Sequence, residues 1–408
     1  MINKSTSKYL ATYAEPEVGL LETSLASTFT KDKKFKRVLV IPAYAESTSY
    51  IKRILKTWGA HSDLLVIIVL NCPDNLDINQ RNTALKSLEQ TKALLSELKY
   101  KKEHISWRNA PKNQIPFLLI DRCTSLPIAY KQGVGLARKI GADIALKLST
   151  LGLINTSWFH TTDADAHLPE DYFDIPYPNC SALYYSHQYQ EDEALYKATQ
   201  IYDTRNTAYQ QGLKDAKSPY GYNPTGSLLA INFSCYAAVR GFPKRAGGED
   251  FYLLNKLQKL KGVQKIKSPT IQLECRESDR VPFGTGPAVS KLIQSQALEL
   301  EPVFYNPKCF EILKSGLYLI RETHPKAWSD NKKIPDVFLQ SLEHIGANSV
   351  KKHLAQSFEK DQAEYRKQLD IWLDAFRTLK VIHFLRDNHF KNINYKDWLE
   401  LKTTNTCA

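Results

Sequence analysis

From Arg37 onward the chain alternates short apolar runs with longer amphipathic ones. Arg37-Val38-Leu39-Val40-Ile41-Pro42 is a β-branched run closed by proline, the pattern of a strand covered on both faces. A loop, Ala43-Tyr44-Ala45-Glu46-Ser47-Thr48, follows it. Ile51, Ile54 and Leu55 then recur at helical spacing and predict a helix over 50–58. A second buried strand is predicted over 64–70, ending in Asn71-Cys72-Pro73-Asp74. Leu85, Leu88, Leu94, Leu95 and Leu98 predict one long amphipathic helix over 79–99. A third strand over 117–121, a helix over 129–141 and a fourth strand over 157–162 complete this half. Such alternation implies right-handed βαβ crossovers and a mainly parallel sheet, hence an α/β fold. In these sheets ligands bind beyond the carboxyl ends of the strands. Glu46, Asn71, Asp74, Asp121, Asp163 and Asp165 all fall at or just after predicted strand ends.

Past Pro169 the pattern mixes. Strands are predicted over 181–189, 228–231 and 270–274, and helices over 191–212 and from Gly247-Gly248-Glu249-Asp250-Phe251 to residue 260. Tyr220 to Ser227 and Ser278 to Gly286 are glycine-punctuated loops. From about Val289 the chain reads as almost wholly helical, with Leu354, Phe358, Tyr365, Leu369, Trp372, Phe376 and Leu379 at three-to-four-residue steps. The expected organisation is an extension over 1–35 that wraps or frays, an α/β domain over 36–288, and a helical region over 289–408.

Composition narrows the class. With 408 residues, 43% hydrophobic and 24% charged, the chain is that of a globular protein long enough for one large core or two domains. No apolar run approaches a membrane span, and Met1 to Thr30 lacks a signal-peptide core. The seven cysteines form no C-x-x-C pair, so neither a zinc cluster nor a disulfide framework is expected. Cys72 reads as a small buried hydrophobe. These features place the protein in a reducing cytoplasm, free or at the inner face of the membrane. A net charge of +12 suits nucleic acid, an anionic membrane or phosphate-bearing substrates alike. No zinc finger, RNA-recognition signature or basic zipper is present, so nucleic acid is not an expected partner.

The chemistry gathers around Asp163-Ala164-Asp165. Two carboxylates one residue apart at a strand end point the same way, and hard oxygen ligands of this kind suit Mg²⁺ or Mn²⁺ carrying substrate phosphates. His167 follows closely enough to approach the same ion. Arg280, between Asp279 and Gly284, would clamp a phosphate bidentately. Glu249 and Asp250 open a helix, where the dipole favours acids, so a capping role stands beside a chemical one.

Four motifs then line up: Val38 to Glu46, the Gly133-Val134-Gly135-Leu136-Ala137-Arg138 run, Asp163-Ala164-Asp165, and Gly241-Phe242-Pro243 leading to Gly248-Glu249-Asp250-Phe251. Over about Lys36 to Glu274 the chain resembles the family 2 glycosyltransferases of GT-A fold. The resemblance implies a metal-dependent glycosyltransferase of hexosyltransferase type, moving a sugar from a nucleotide-sugar donor to an acceptor (saccharide, lipid or small metabolite). It implies that Pro42, Ala43, Tyr44 and Glu46 hold the nucleotide and that Asn71 and Asp74 contact its base. It places Gly133 beside the nucleotide and Arg138 within reach of phosphate. Asp165 would bind the metal, with Asp163 beside it facing the ribose. Asp250, kept ionised by the helix dipole and assisted by Glu249, would be the general base of an inverting displacement. A retaining transferase and a non-catalytic nucleotide-sugar-binding scaffold are the alternatives. Two departures bear on the nucleotide: Ala45 stands where the family usually has asparagine, and Asn71-Cys72-Pro73-Asp74 replaces an aspartate with a small-residue turn.

Overall fold

The structure is a computed structural model describing residues 4–21, 34–191, 195–223, 225, 227–275, 285–294 and 298–406. Two compact units emerge, Met1–Glu191 with Pro224–Gly284, and Asp192–Asn223 with Thr285–Ala408. The helix expected over 191–212 runs from Tyr196 to Asp215 and belongs to the second unit, not to the α/β part. Its apolar side explains the reassignment: Ala198 and Ile201 bury with Val289, Leu292 and Phe304. Leu213, further along, packs with Cys309 and Leu313.

The first unit is built on a ten-stranded sheet. Its strands are β1 (Arg37–Ala43), β2 (Leu64–Asn71), β3 (Glu97–Lys102), β4 (Ile105–Asn109), β5 (Pro116–Arg122), β6 (Trp158–Thr161), β7 (Ala166–His167), β8 (Ala182–Tyr189), β9 (Leu229–Asn232) and β10 (Val263–Leu273). Their order is β3-β4-β5-β2-β1-β6-β9-β8-β10-β7. The sheet is mixed rather than mainly parallel. β5-β2-β1-β6 and β8-β10 pair in parallel, and the other five pairings are antiparallel.

The continuous apolar runs of β1 and β2 follow from helices on both faces. Leu39, Ile41 and Ala43 point to one side and pack with Ile51 and Ile54 of the Ser49–Trp58 helix and Leu88 of the Ile78–Leu94 helix. Val40 points to the other side, under the Gly133–Thr150 helix. A Cβ on Gly141 there would lie 2.5 Å from Val40 Cγ1, so only glycine permits that approach.

The periodicity overruns in one place. The helix predicted over 79–99 stops at Leu94, and Glu97–Lys102 becomes β3 at the sheet's edge. Leu95 is buried but Leu98 stays 48% exposed, and Glu97, Lys99 and Lys101 at alternate positions guard an otherwise open edge. The residues after Lys4 do wrap. Tyr9, on the Lys4–Thr12 helix, donates to Asp143 at 2.5 Å and accepts from Lys139 at 2.6 Å, inside a buried cluster closed by Tyr236. Burial pushes the Asp143 carboxyl up, against the pull of the Lys139 ammonium.

The second unit is helical. Trp328, Phe338, Leu354, Tyr365 and Leu369 lie at its centre, as the three-to-four-residue spacing predicts. No helix among the described residues is long and apolar enough to cross a membrane.

Candidate active site

Because β5, β2, β1 and β6 run in parallel, their carboxyl ends share one edge. Pro42 and Ala43 close β1 there, fully packed. Thr162 N donates to the Val40 carbonyl at 3.2 Å, and the next ladder bond would run from residue 42 to the Thr162 carbonyl. Proline has no N–H to give, and Arg138 Nη1 approaches that carbonyl instead, at 3.4 Å. Tyr44 and Ala45 lie half-buried on the apolar cluster beneath. Ala45 has φ +52°, a left-handed conformation that asparagine adopts more readily than alanine. Glu46 follows, its carbonyl accepting from Ser87 Oγ at 2.5 Å.

At the end of β2, Asn71 is 6% exposed and its Oδ1 accepts no hydrogen bond among the described residues. Asp74 is exposed and spends one carboxylate oxygen on Tyr130 N at 2.9 Å, so it shapes the neighbouring loop. Asp121, ending β5, does similar work. Burial opposes its ionisation, but bonds from Thr124, Cys123 and Lys92 hold its carboxyl below the ordinary value. Between these ends the structure pairs Cys72 with Cys123 in a disulfide, Cα–Cα 4.7 Å. Cys72 is therefore not a lone hydrophobe. Residues 51 apart are brought together by the β2–β5 pairing, which spacing along the chain does not reveal, and the ground for expecting a reducing compartment falls with it.

Arg138 is the centre of the site and is 1% exposed. Its Nε donates to Glu249 Oε1 at 2.8 Å, its Nη1 to Thr161 Oγ1 at 3.0 Å, and its Nη2 to Asp163 Oδ1. Burial alone would weaken the cation, but Asp163 and then Glu249 carry its pKa above the ordinary arginine value. Where the sequence had Arg138 within reach of phosphate and Asp163 facing a ribose, the structure places Arg138 between two carboxylates, one of them Asp163.

The start of the Gly133–Thr150 helix is filled in the same way. A Cβ on Gly133, at φ +40°, would lie 2.6 Å from Ala246 Cα, and one on Gly135 would lie 2.4 Å from the Pro243 carbonyl. Gly135 N donates to the Arg245 carbonyl at 2.9 Å. These glycines admit the backbone of residues 243–246. That strand of loop leads directly into Glu249 and Asp250, so its seating places the acids.

Glu249 is 4% exposed, whereas Asp250 beside it is only partly covered. Asp250 Oδ1 accepts from Phe251 N at 2.7 Å and Oδ2 from Ser227 Oγ at 3.2 Å. Desolvation, then the Glu249 charge, push the Asp250 carboxyl up to about 7, with Arg138 and the Phe251 N–H pulling against them and Asp163 adding to the rise. The sequence led to the expectation that the helix dipole keeps Asp250 ionised; burial beside a second carboxylate outweighs that terminal dipole. A carboxyl near neutrality can take a proton and return it.

The cation ligands gather less than the spacing predicts. Asp165 stands half-buried in the turn between β6 and β7. His167 pairs its Nε2 with Glu274 at 2.7 Å across the β7–β10 ladder. Among the described residues no three His, Cys, Asp or Glu side chains lie close enough together to hold a metal, so Asp163, Asp165 and His167 do not form a ready ligand set. Arg280 lies outside the described residues. His324 sits in the helical unit, where Nδ1 accepts from Lys326 N and Nε2 faces Glu359 at 3.3 Å. Tyr220 and Tyr222 are buried in that unit.

Three participants escaped the sequence. Ser227 is an unremarkable loop serine by pattern, and Thr161 lies within an apolar strand. Arg53, on the Ser49–Trp58 helix, donates to the Ala164 carbonyl at 3.0 Å and so braces the turn between the two aspartates. Its position in the helical pattern carried no sign of this.

No known family's sequence profile matches the chain, and no curated protein matches it. Solved structures do. Residues 1–349 of S. aureus TarS in complex with UDP-GlcNAc align over 83% of this chain and 91% of that one, at 11% identity and a TM-score of 0.38. The mannosyltransferase PcManGT from Pyrobaculum calidifontis, in complex with GDP-Man and Mn²⁺, aligns over 91% and 99%, at 14% identity and a TM-score of 0.34. Each was solved with a nucleotide sugar bound.

Proposed function

We propose that the protein is a glycosyltransferase of GT-A type that moves a sugar from a nucleotide-sugar donor to an acceptor hydroxyl with inversion. The observation that carries this reading is the convergence of Asp163 and Glu249 on one buried arginine, with Asp250 next to Glu249, at the carboxyl edge of the parallel strands. Transfer requires charge neutralisation at a leaving diphosphate and a base for the attacking hydroxyl, on opposite sides of the anomeric carbon. The turn holding Asp165 suits the first task and Asp250, raised to about 7, suits the second.

Asn71, with a buried acceptor oxygen at the end of β2, suits a base edge that donates a hydrogen bond. Pro42, Ala43, Tyr44 and Glu46 would wall the nucleotide. A divalent cation fits the donor set in one form only. Asp165, half-buried in the turn between β6 and β7, would hold Mg²⁺ or Mn²⁺, the remaining ligands being phosphate oxygens and water, an arrangement such cations favour. That ion would neutralise the diphosphate as a Lewis acid. The protein's own part is to seat the nucleotide, to hold Asp163 and Glu249 around the Arg138 cation, and to accept the acceptor's proton at Asp250.

The test is Asp250→Asn, assayed for release of nucleoside diphosphate from UDP- and GDP-sugars in Mn²⁺. Turnover should fall at least about a hundredfold while nucleotide affinity is retained. Comparable turnover in the variant would remove Asp250 from the base role.

A further inference from the structure

We propose that Ser227 is a positioning residue for Asp250, and that its strained backbone is kept because the hydroxyl is needed there. The inference rests on the reading of Asp250 as general base. Ser227 is 4% exposed and stands at φ +48°, a conformation glycine takes freely and serine does not. Its Oγ donates to Asp250 Oδ2 at 3.2 Å and lies 3.5 Å from Glu249 Oε1, the oxygen that Arg138 Nε already holds. Strain of this kind persists where the surroundings demand a particular side-chain position.

The two grips on the Asp250 carboxylate differ in kind. Phe251 N, which holds Oδ1, is the next residue and moves with the helix end. Ser227 comes two residues before β9, so among the described residues its bond is the one that ties the carboxylate to the sheet. An unanchored carboxylate would sample rotamers that point away from an acceptor hydroxyl, and small misplacements of a reacting group are costly. Ser227 also completes a chain of contacts, Asp163–Arg138–Glu249–Ser227–Asp250, joining the turn of the two aspartates to the base. The charged groups facing Asp250 are Glu249 on its own helix, Arg138 on the Gly133–Thr150 helix and Asp163 after β6.

Three variants separate positioning from structure. Ser227→Gly removes the hydroxyl and relieves the backbone, Ser227→Ala removes the hydroxyl alone, and Ser227→Asn tolerates the left-handed backbone and restores a donor. Nucleoside diphosphate release from UDP- and GDP-sugars is followed from about pH 5 to about pH 9, with Asp250→Asn in parallel. In both Ser227→Gly and Ser227→Ala, kcat should fall roughly tenfold or more, the scale of one hydrogen bond to a charged group. KM for the donor should stay within about twofold, as for loss of an interaction made beyond ground-state binding. The acid limb of kcat/KM should move to higher pH, since losing a donor disfavours the carboxylate. Ser227→Gly should melt no lower than the parent protein, and Ser227→Asn should recover part of kcat. Parental kcat and an unshifted limb in Ser227→Gly, with Asp250→Asn inactive, would overturn this inference alone. Lost activity with a lowered melting temperature and an unshifted limb would also overturn it, as a structural role. An active Asp250→Asn would overturn the base reading itself.

Discussion

Replacing Arg138 by methionine removes the cation around which the site is assembled while keeping an unbranched apolar stem of similar length. The guanidinium is 1% exposed and bonds Glu249 at 2.8 Å, Thr161 at 3.0 Å and the Thr162 carbonyl at 3.4 Å, besides Asp163. Asp163 is partly exposed and can recover water, but Glu249 is 4% exposed and, among the described residues, keeps only Ser227, at 3.5 Å. The cost is therefore that of one buried carboxylate stripped of its partner, about 3–5 kcal/mol. For a unit of this size each kcal/mol lowers Tm by about 2–4 °C, so the transition of the first unit should drop by roughly 6–20 °C in calorimetry. Arg138→Met with Glu249→Gln should recover most of that loss, because the penalty lies in the stranded charge rather than in a missing attraction. Neither protein should turn over donor. A single-variant loss under about 1 kcal/mol, or a double variant no more stable than the single, would refute the claim that Arg138 neutralises Glu249.

The raised Asp250 carboxyl has a signature in stability as well as rate. A carboxyl that holds its proton more tightly when folded stabilises the fold fully below its unfolded pKa of about 4, and that contribution is lost as pH rises toward the folded value. With the folded value near 7, Asp250→Asn should raise Tm above pH 7, and the gain should vanish at acid pH. Reducing Cys72–Cys123, which closes a separation of 51 residues, should destabilise the first unit by up to about 4 kcal/mol, seen as an earlier urea midpoint with dithiothreitol. Gly141→Ala should cost about 1–3 kcal/mol by driving a methyl into Val40, and adding Val40→Ala should restore part of it.

What was legible in the chain was whatever local pattern encodes. The doubly covered strands β1, β2 and β5 announce themselves as unbroken apolar runs, and strand ends followed by acids mark the edge where a ligand would sit. Pairing direction was not legible. β4 and β9 lie antiparallel beside parallel neighbours, and a short apolar run carries no sign of its neighbour's direction. β3 was hidden for a related reason, since Leu94, Leu95 and Leu98 satisfy a helical period as well as an edge strand.

At the site, the residue types were readable but their partners were not. Arg138 lies 25 residues from Asp163 and 111 from Glu249, and only the fold reveals its guanidinium as the buried counter-ion of both. Gly133 and Gly135 show the same limit. Glycines at a helix start suit a phosphate or a crossing backbone equally, and here the backbone of residues 243–246 is what they admit. Ser227 had no local signal, because its importance lies in a left-handed φ and in one hydroxyl contact.

The central claim, that this edge binds a nucleotide sugar through Asp165 and a divalent cation, is most directly tested by calorimetric titration of UDP- and GDP-sugars. Parent protein and Asp165→Ala are compared, each with Mn²⁺ and with chelator. The account predicts binding of one nucleotide class to the parent protein in Mn²⁺, sharply weakened by chelator and absent in Asp165→Ala. Absence of binding to every nucleotide sugar in Mn²⁺, or affinity unchanged by both chelation and Asp165→Ala, would contradict it.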